Sequence, residues 1–494
     1  MSSIVRGFIS IFGGKSVSLF LSLLITPILV RVLGSGLYGD YAFLLSVLSI
    51  TMILVNAGIF DGTRKYMIED REDPFWKEHV FGFYFRVALI LAVCASIGYG
   101  LFAWTEIPNT IFGDRFSTYF LVLSILIISD QVHSLTRGGL MGLHLESRSE
   151  PLKILRRMLF GLFGIALAAL NYGVTGVLVG QIIASGVVAL ISLLVIFRRL
   201  NSREVIKGVP SDLPRREILS FNSLSVILIL LTASLQHTDI LLLRSIYNSQ
   251  ITGYYKAALV ITEFLWFVPY ALQTVLLHSS SELWSENKTE QITSLVARTT
   301  RYNLSLTVLL SLGLGALASD FVPLYFGSEF KSAIQPLLIL LPGTLGFALA
   351  RPIFAVGQGK GDLGKLIGAT GFAAVMNLGL NVLLIPKYGM VGAAAATSVS
   401  YGSMLFFHIV AARSIGFNPV ADVRMARVAG AAVVTAAIIF PLSMLIESGI
   451  ISLLIVPPTG FVVYAVLTIK LGIVSRNELR TLADRLPISV SQYL

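Results

Sequence analysis

The sequence predicts an all-α polytopic membrane protein of about 14 transmembrane helices: two six-helix bundles related by a pseudo-two-fold axis, plus two C-terminal helices. Three observations carry this. The 494 residues are 55% hydrophobic and only 13% charged, with a mean hydropathy of +0.82, whereas a soluble domain is about 25% charged. Apolar runs of about 20 residues, the length that crosses a bilayer, follow one another along the whole chain. And the chain repeats itself. Tyr172, Gly173, Gly176 and Gly186 recur 216 positions later as Tyr388, Gly389, Gly392 and Gly402, while Gly39, Tyr41 and Arg137 recur at 214 as Gly253, Tyr255 and Arg351. Gly and Tyr are common, so one match says little. Several in nearly one register indicate the internal duplication on which many transporters are built.

Taken in order, the apolar runs place helices at about 8–31, 41–60, 80–103, 117–142, 152–171, 175–197 and 218–243. The rest fall at about 254–278, 301–318, 333–356, 363–385, 389–412, 424–446 and 450–471. Six helices per repeat is an even number, so both copies cross the membrane in the same sense. The expected lobes are residues 1–216 and 217–421, with 422–494 as an appendage of two helices and a tail. The first run is too long for a signal-peptide core and is expected to stay as an uncleaved anchor. Strand-length alternating segments are absent, which excludes a β-barrel.

The net charge of +10 suggests nucleic acid until its distribution is read. Lys and Arg crowd the even-numbered connections and the tail, for example Arg64, Lys65, Lys153, Arg156, Arg157, Arg198, Arg199 and Arg424. The odd connections hold few. By the positive-inside rule this is a multi-pass plasma-membrane protein with both termini cytoplasmic, and no nucleic-acid partner is expected. The basic residues then lie near anionic lipid headgroups. The single cysteine, Cys94, excludes an internal disulfide and reads as a packing residue in an apolar run. No cofactor or metal motif occurs. Gly13-Gly14-Lys15-Ser16 lacks the first glycine of a phosphate loop, with Ile9 in its place.

The segments Arg31-Val32-Leu33-Gly34…Tyr38-Gly39-Asp40-Tyr41-Ala42, Thr238-Asp239-Ile240…Gly253-Tyr254-Tyr255-Lys256 and Asn377…Asn381…Ile385-Pro386-Lys387-Tyr388-Gly389…Gly392 together resemble signatures of the polysaccharide transporter family. This is the oligosaccharide-flippase branch of the multidrug/oligosaccharidyl-lipid/polysaccharide (MOP) exporter superfamily. The resemblance covers nearly the whole chain. It implies two six-helix lobes and movement of a polyprenyl-(di)phosphate-linked oligosaccharide to the outer leaflet, for surface polysaccharide or glycoprotein glycan synthesis. Partners would be that lipid-linked substrate, membrane lipids, a coupling Na+ or H+, and other glycan-assembly membrane proteins. A cation-coupled multidrug or metabolite exporter of the same superfamily is the alternative. A membrane glycosyltransferase is disfavoured, because the outer loops are short, their acids are scattered and no Asp-x-Asp pair occurs.

Ionisable groups inside spans are costly, and so are candidate functional residues. Asp130, His133 and Arg137 stand at i, i+3 and i+7, one face of the fourth helix. They form either a stripe facing the substrate or an internal contact. Arg137 and Arg351 are repeat-equivalent; facing each other, they would grip a diphosphate, and the bland reading is snorkelling at helix ends. Lys15 lies deep in the first helix. Lys256 and Glu263, a heptad apart, form a second polar set with Gln236, His237 and Asp239. Candidate substrate-binding residues are therefore Lys15, Asp130, His133, Arg137, Lys256, Glu263 and Arg351, and ion-coupling candidates are Asp130, Asp239 and Glu263. Arg86 is expected to snorkel, and Asn377 and Asn381 to hydrogen-bond across helices.

Overall fold

A computed structural model of the chain describes residues 3–210, 213–220, 223–475 and 478; of residues 3–16 and 220, only the backbone is described. Every regular element among the described residues is helical. The chain divides into two compact units, Met1–Gly253 and Tyr254–Leu494.

The first unit holds α1 (Ser3–Asn56), the short α2 (Ile59–Tyr66), α3 (Trp76–Trp104), α4 (Ile107–Phe112) and α5 (Phe116–Gly142). It continues with α6 (Glu146–Leu167), a π turn (Ala168–Tyr172), α7 (Gly173–Phe197), the short α8 (Ser202–Ile206) and α9 (Arg215–Ser220), and α10 (Ser223–Ile246). Then α11 (Ser249–Phe264) runs into the second unit, followed by α12 (Phe267–Ser285), α13 (Thr289–Phe326), a 3-10 turn (Ser328–Ala333), α14 (Ile334–Lys360), α15 (Leu363–Ile415), α16 (Met425–Leu445) and α17 (Gly449–Lys470).

Among the described residues, ten helical segments are long and apolar enough to cross a membrane, or eleven with α11 and α12 taken as one bent span. Three of these, Val17–Tyr66, Glu146–Phe197 and Leu363–Ile415, run 50, 52 and 53 residues. At 1.5 Å per residue each would measure roughly 75–80 Å, more than twice the ~30 Å hydrocarbon layer. Each is broken at a non-helical residue: Gly34 in the first, Leu170 and Asn171 before Gly173 in the second, Gly389 in the third. Read as two spans apiece, they bring the crossings to fourteen.

The duplication is visible in the backbone. Gly173 adopts φ 54° and ψ −135°, and Gly389, 216 positions on, adopts φ 56° and ψ −133°. An L side chain rarely tolerates this region, so glycine is needed at both breaks. The halves of α15 are then joined by Asn381 donating to Asn377 (3.0 Å) and Asn377 donating to Thr397 beyond the break (3.4 Å). The first compact unit runs on to Gly253, since α10 packs on α1.

Three local expectations need correction. The eighth span is bent by 47° between α11 and α12, because Pro269 lacks an amide hydrogen and its ring crowds the carbonyl of Leu265, four residues back. Cys94 is exposed, beside Ile90, Val93 and Ile97 on the outward face of α3. Lipid is as apolar as a core, so hydropathy does not separate the two. Arg86 does not reach for headgroups; it donates to the carbonyls of Val205 (3.2 Å), Ile206 (2.7 Å) and Lys207 and so pins α8 against α3.

In the second unit, α16 and α17 pack on α13. Arg301 of α13 has a side chain with no exposure and pairs with Asp422 and Glu478, while Arg424 donates to Asp422 at 2.8 Å. These acids flank α16 and α17 in sequence, so one guanidinium anchors both ends of the C-terminal pair. Burial pushes the Glu478 carboxyl up. The Ser475 amide and hydroxyl and the Arg301 charge outweigh this and hold it below the usual carboxylate range. A depressed folded pKa means stability that is present above the unfolded value of about 4.3 and lost as pH falls through the folded one. The thermal midpoint should therefore drop on acidification below about pH 4, and Glu478→Gln should flatten that dependence. Arg301→Met should cost near the low end of about 3–5 kcal/mol, because both abandoned acids reach solvent. Calorimetry across pH on these variants checks both.

Candidate functional site

A cavity of about 820 Å³ lies wholly within the first unit. Its polar wall is assembled from five helices, with Asp61 supplied by α2. Ser18, Ser22 and Tyr41 come from α1, and Asp130, His133, Ser134 and Arg137 from one face of α5. Lys153, Arg156 and Arg157 come from α6, and Gln181 from α7. The spacing i, i+3, i+4, i+7 on α5 aims all four side chains one way, as Lys153, Arg156 and Arg157 do on α6. Leu19, Leu45, Leu48, Val226 and Ile229 give the cavity an apolar side.

Most of the charges are committed. Asp130 accepts from Ser185, from Gln181 at 3.3 Å and from Arg156 at 3.5 Å. Saturated in this way, its carboxylate fixes α5, α6 and α7 together. Arg137 reaches the buried Glu150 at 3.4 Å, with Lys153 3.9 Å from the same carboxylate, and its guanidinium lies 5.1 Å from the Phe60 ring. Asp61, also in the wall, pairs with Arg64 at 3.5 Å. Asn56 donates to Ser134 (2.9 Å) and accepts the Phe60 amide (3.1 Å), which fixes the start of α2 beside the cavity.

Arg157 is different. It donates to the Ser22 hydroxyl, its Nε is buried without a partner, and no carboxylate pairs with it among the described residues. His133, 8% exposed, likewise has no partner for Nδ1. The wall carries Arg137, Lys153, Arg156 and Arg157 against Asp61 and Asp130, so it attracts anions. A cation with unused planar donors at a hydroxyl-rich wall is the arrangement that takes a phosphate oxygen pair.

Of the residues expected from sequence, Asp130, His133 and Arg137 are gathered here. Lys15 lies outside the described side chains. Lys256 and Glu263 form an ion pair of 2.9 Å in the second unit. Asp239 is fully buried and accepts the amide of Ile240 at 2.8 Å, and His237 contacts Ser46 at 3.1 Å. Arg351 is enclosed by aromatic rings of the second unit. Lys153, Arg156 and Arg157, which the sequence offers as markers of topology, also line the cavity. Their i, i+3, i+4 spacing was the available signal that they share a face with each other.

With that geometry in place, comparison with known proteins is informative. The chain matches the sequence family described as "Polysaccharide biosynthesis protein" over residues 4–276, more than half its length. It belongs to that family. This member of the polysaccharide transporter family is 23% identical over 384 residues to "Probable low-salt glycan biosynthesis flippase Agl15" of Haloferax volcanii, covering 76% of this chain and 77% of the relative. A shorter stretch of 159 residues is 26% identical to the uncharacterized membrane protein MJ1068 of Methanocaldococcus jannaschii, covering 32% and 31%. The fold is similar to "Lipid II flippase MurJ, inward closed conformation", with a TM-score of 0.73 at 14% identity, covering 94% of this chain and 98% of that one. It is also similar to an inward-facing MATE-family transporter of the MOP superfamily, with a TM-score of 0.61 at 16% identity, covering 80% and 94%. The expected helical fold and family are thereby shown.

Proposed function

We propose that this polysaccharide transporter family member is a flippase that moves a polyprenyl-(di)phosphate-linked oligosaccharide from the cytoplasmic to the outer leaflet of the plasma membrane. The observation that carries the proposal is Arg157, a cation with no carboxylate partner among the described residues, in a cavity whose described wall bears four cations and two acids. Each unpaired sugar hydroxyl entering hydrocarbon costs roughly 4–8 kcal/mol, so a glycan headgroup needs a polar route. The cavity offers Ser18, Ser22, Ser134, Asn56 and Gln181 to hydroxyls and Arg157 to phosphate, while its apolar side suits the first prenyl carbons. Alternating access of two helical lobes would carry the headgroup across as the tail stays in lipid. Both termini would be cytoplasmic, with the basic connections on that side. An inside-negative potential helps an anionic headgroup outward, by about 2.3 kcal/mol per charge per 100 mV, and Na+ or H+ coupling through the acidic candidates is a further drive. A cationic-drug exporter fits this wall poorly, since it would bring positive cargo to excess positive charge.

Deletion followed by lipid analysis is the test. A lipid-linked glycan should accumulate on the cytoplasmic leaflet, and the purified protein should flip it in proteoliposomes at a rate that rises with inside-negative potential. Intact surface glycans together with sensitivity to cationic dyes would overturn the reading.

A further inference from the structure

The second unit contains a buried cation that the cavity does not use. Arg351 of α14 is 3% exposed, and its Nε and Nη2 are sealed from solvent with no hydrogen-bond partner. No carboxylate pairs with it among the described residues. Its guanidinium lies 3.9 Å from the Phe347 ring centroid, 5.1 Å from Tyr270 and 5.8 Å from Phe354. Trp266 and Tyr401 close the box, 4.2 and 4.8 Å from Phe347.

Ring faces balance part of a positive charge, but they accept nothing in the plane of the guanidinium, and its N–H donors lie in that plane. A desolvated cation with empty in-plane donors is therefore incomplete without a counter-charge. His408, fully buried and 6.1 Å from Phe354, supplies no counter-charge, because its free ring nitrogen is a neutral acceptor. Its Nδ1 hydrogen-bonds the Met404 carbonyl at 2.8 Å, which leaves Nε2 without a partner. Among the described residues, the titratable neighbours that bear on Arg351 are Tyr270, Tyr401 and His408, and no carboxylate is among them. The backbone beside it can yield. Pro352 removes one rung of the helix ladder, and Asn303 takes the freed Ala348 carbonyl at 2.8 Å.

We infer that this aromatic box is a binding site for a small monovalent anion of halide size, held edge-on by Arg351. None of the four cavities of the described residues is lined by Arg351 or its rings, so the occupant we assign is a single small ion and not a sugar phosphate. The charge follows from the count, one guanidinium and no acid. The occupant comes from solution and is independent of the glycan cargo.

The test uses the full chain in nanodiscs, with potassium gluconate exchanged for chloride or bromide at constant ionic strength. Halide should raise the thermal midpoint saturably, by on the order of 5 °C. Arg351→Gln should abolish that rise, while Arg157→Gln, which alters the first-unit cavity, should keep it. Should Arg351→Gln fail to fold, radiolabelled chloride binding decides: one ion per chain in the wild type, retained in Arg157→Gln and weakened about tenfold or more in Phe347→Leu. A midpoint indifferent to halide would mean that Arg351 turns to His408 Nε2 instead, and the site falls. Chloride binding that disappears with Arg157 also overturns it.

Discussion

Replacing Arg157 by Gln should lower transport of the phosphate-linked cargo about 10- to 100-fold with almost no loss of thermal stability. A charge-assisted hydrogen bond contributes about 1.5–3 kcal/mol, and each 1.4 kcal/mol is a factor of ten in affinity. The stability half follows from the same contacts. Arg157 is held by the Ser22 hydroxyl and by no carboxylate, and its Nε is buried unpaired, so its removal strands no buried acid. Arg157→Lys should fall between, since an ammonium keeps the charge and loses the fork. Asp130→Asn makes the contrasting case. It removes the charge that Arg156 pairs with and one of the two oxygens shared among Arg156, Gln181 and Ser185, so α5, α6 and α7 should loosen and the thermal midpoint should fall together with transport. Flipping assays and thermal melts on the three variants separate the roles. An Arg157→Gln protein that melts several degrees lower and transports normally would show a structural arginine.

The span pattern was legible because hydrocarbon thickness imposes a length that sequence alone displays. The breaks at Gly173 and Gly389 were legible because a duplication repeats its backbone exceptions along with its helices. The α6 cations were misjudged for a physical reason. A Lys or Arg near a helix end meets the positive-inside rule whether it points to headgroups or into a cavity, and only the neighbouring helices decide between them. Ser22 of α1 and Asp130 of α5 are 135 and 26 residues from Arg157 and Arg156, so no local pattern exposes their contacts. Cys94 failed in the opposite direction: an apolar run indicates immersion and does not say whether the immersing medium is protein or lipid.

Adding one methyl group at Gly39 should open the crossing of α1 over the start of α11. A Cβ there would lie 1.7 Å from the Ser249 carbonyl oxygen and 2.8 Å from the Gly253 amide nitrogen. The reciprocal holds, since a Cβ on Gly253 would lie 2.0 Å from the Ser35 oxygen. Ser35 and Ser249, like Gly39 and Gly253, are 214 residues apart, so each repeat copy presents the same glycine to the other's serine carbonyl, as a two-fold contact does. Both obstacles are backbone and cannot swing aside like a side chain, so the helices must part by more than an ångström. Overpacking of this kind costs about 1–3 kcal/mol. What lies beside the crossing makes the parting consequential. Asp40 accepts from Arg244 at 2.8 Å and from Ser249 at 2.6 Å, and Arg244 also donates to the Phe112 carbonyl. The side chains of Arg244 and Asp40 are only 8% and 13% exposed, and water reaching them would weaken the pair. On a Cys94→Ala background, which removes the chain's one cysteine, Ser249→Cys should be labelled slowly by a membrane-impermeant maleimide, and about tenfold or more faster once Gly39→Ala is added. Gly253→Ala should act in the same way, and the double variant should add little, because one opening relieves both clashes. Unchanged labelling and melting in both single variants would mean that the crossing is loose in the working protein.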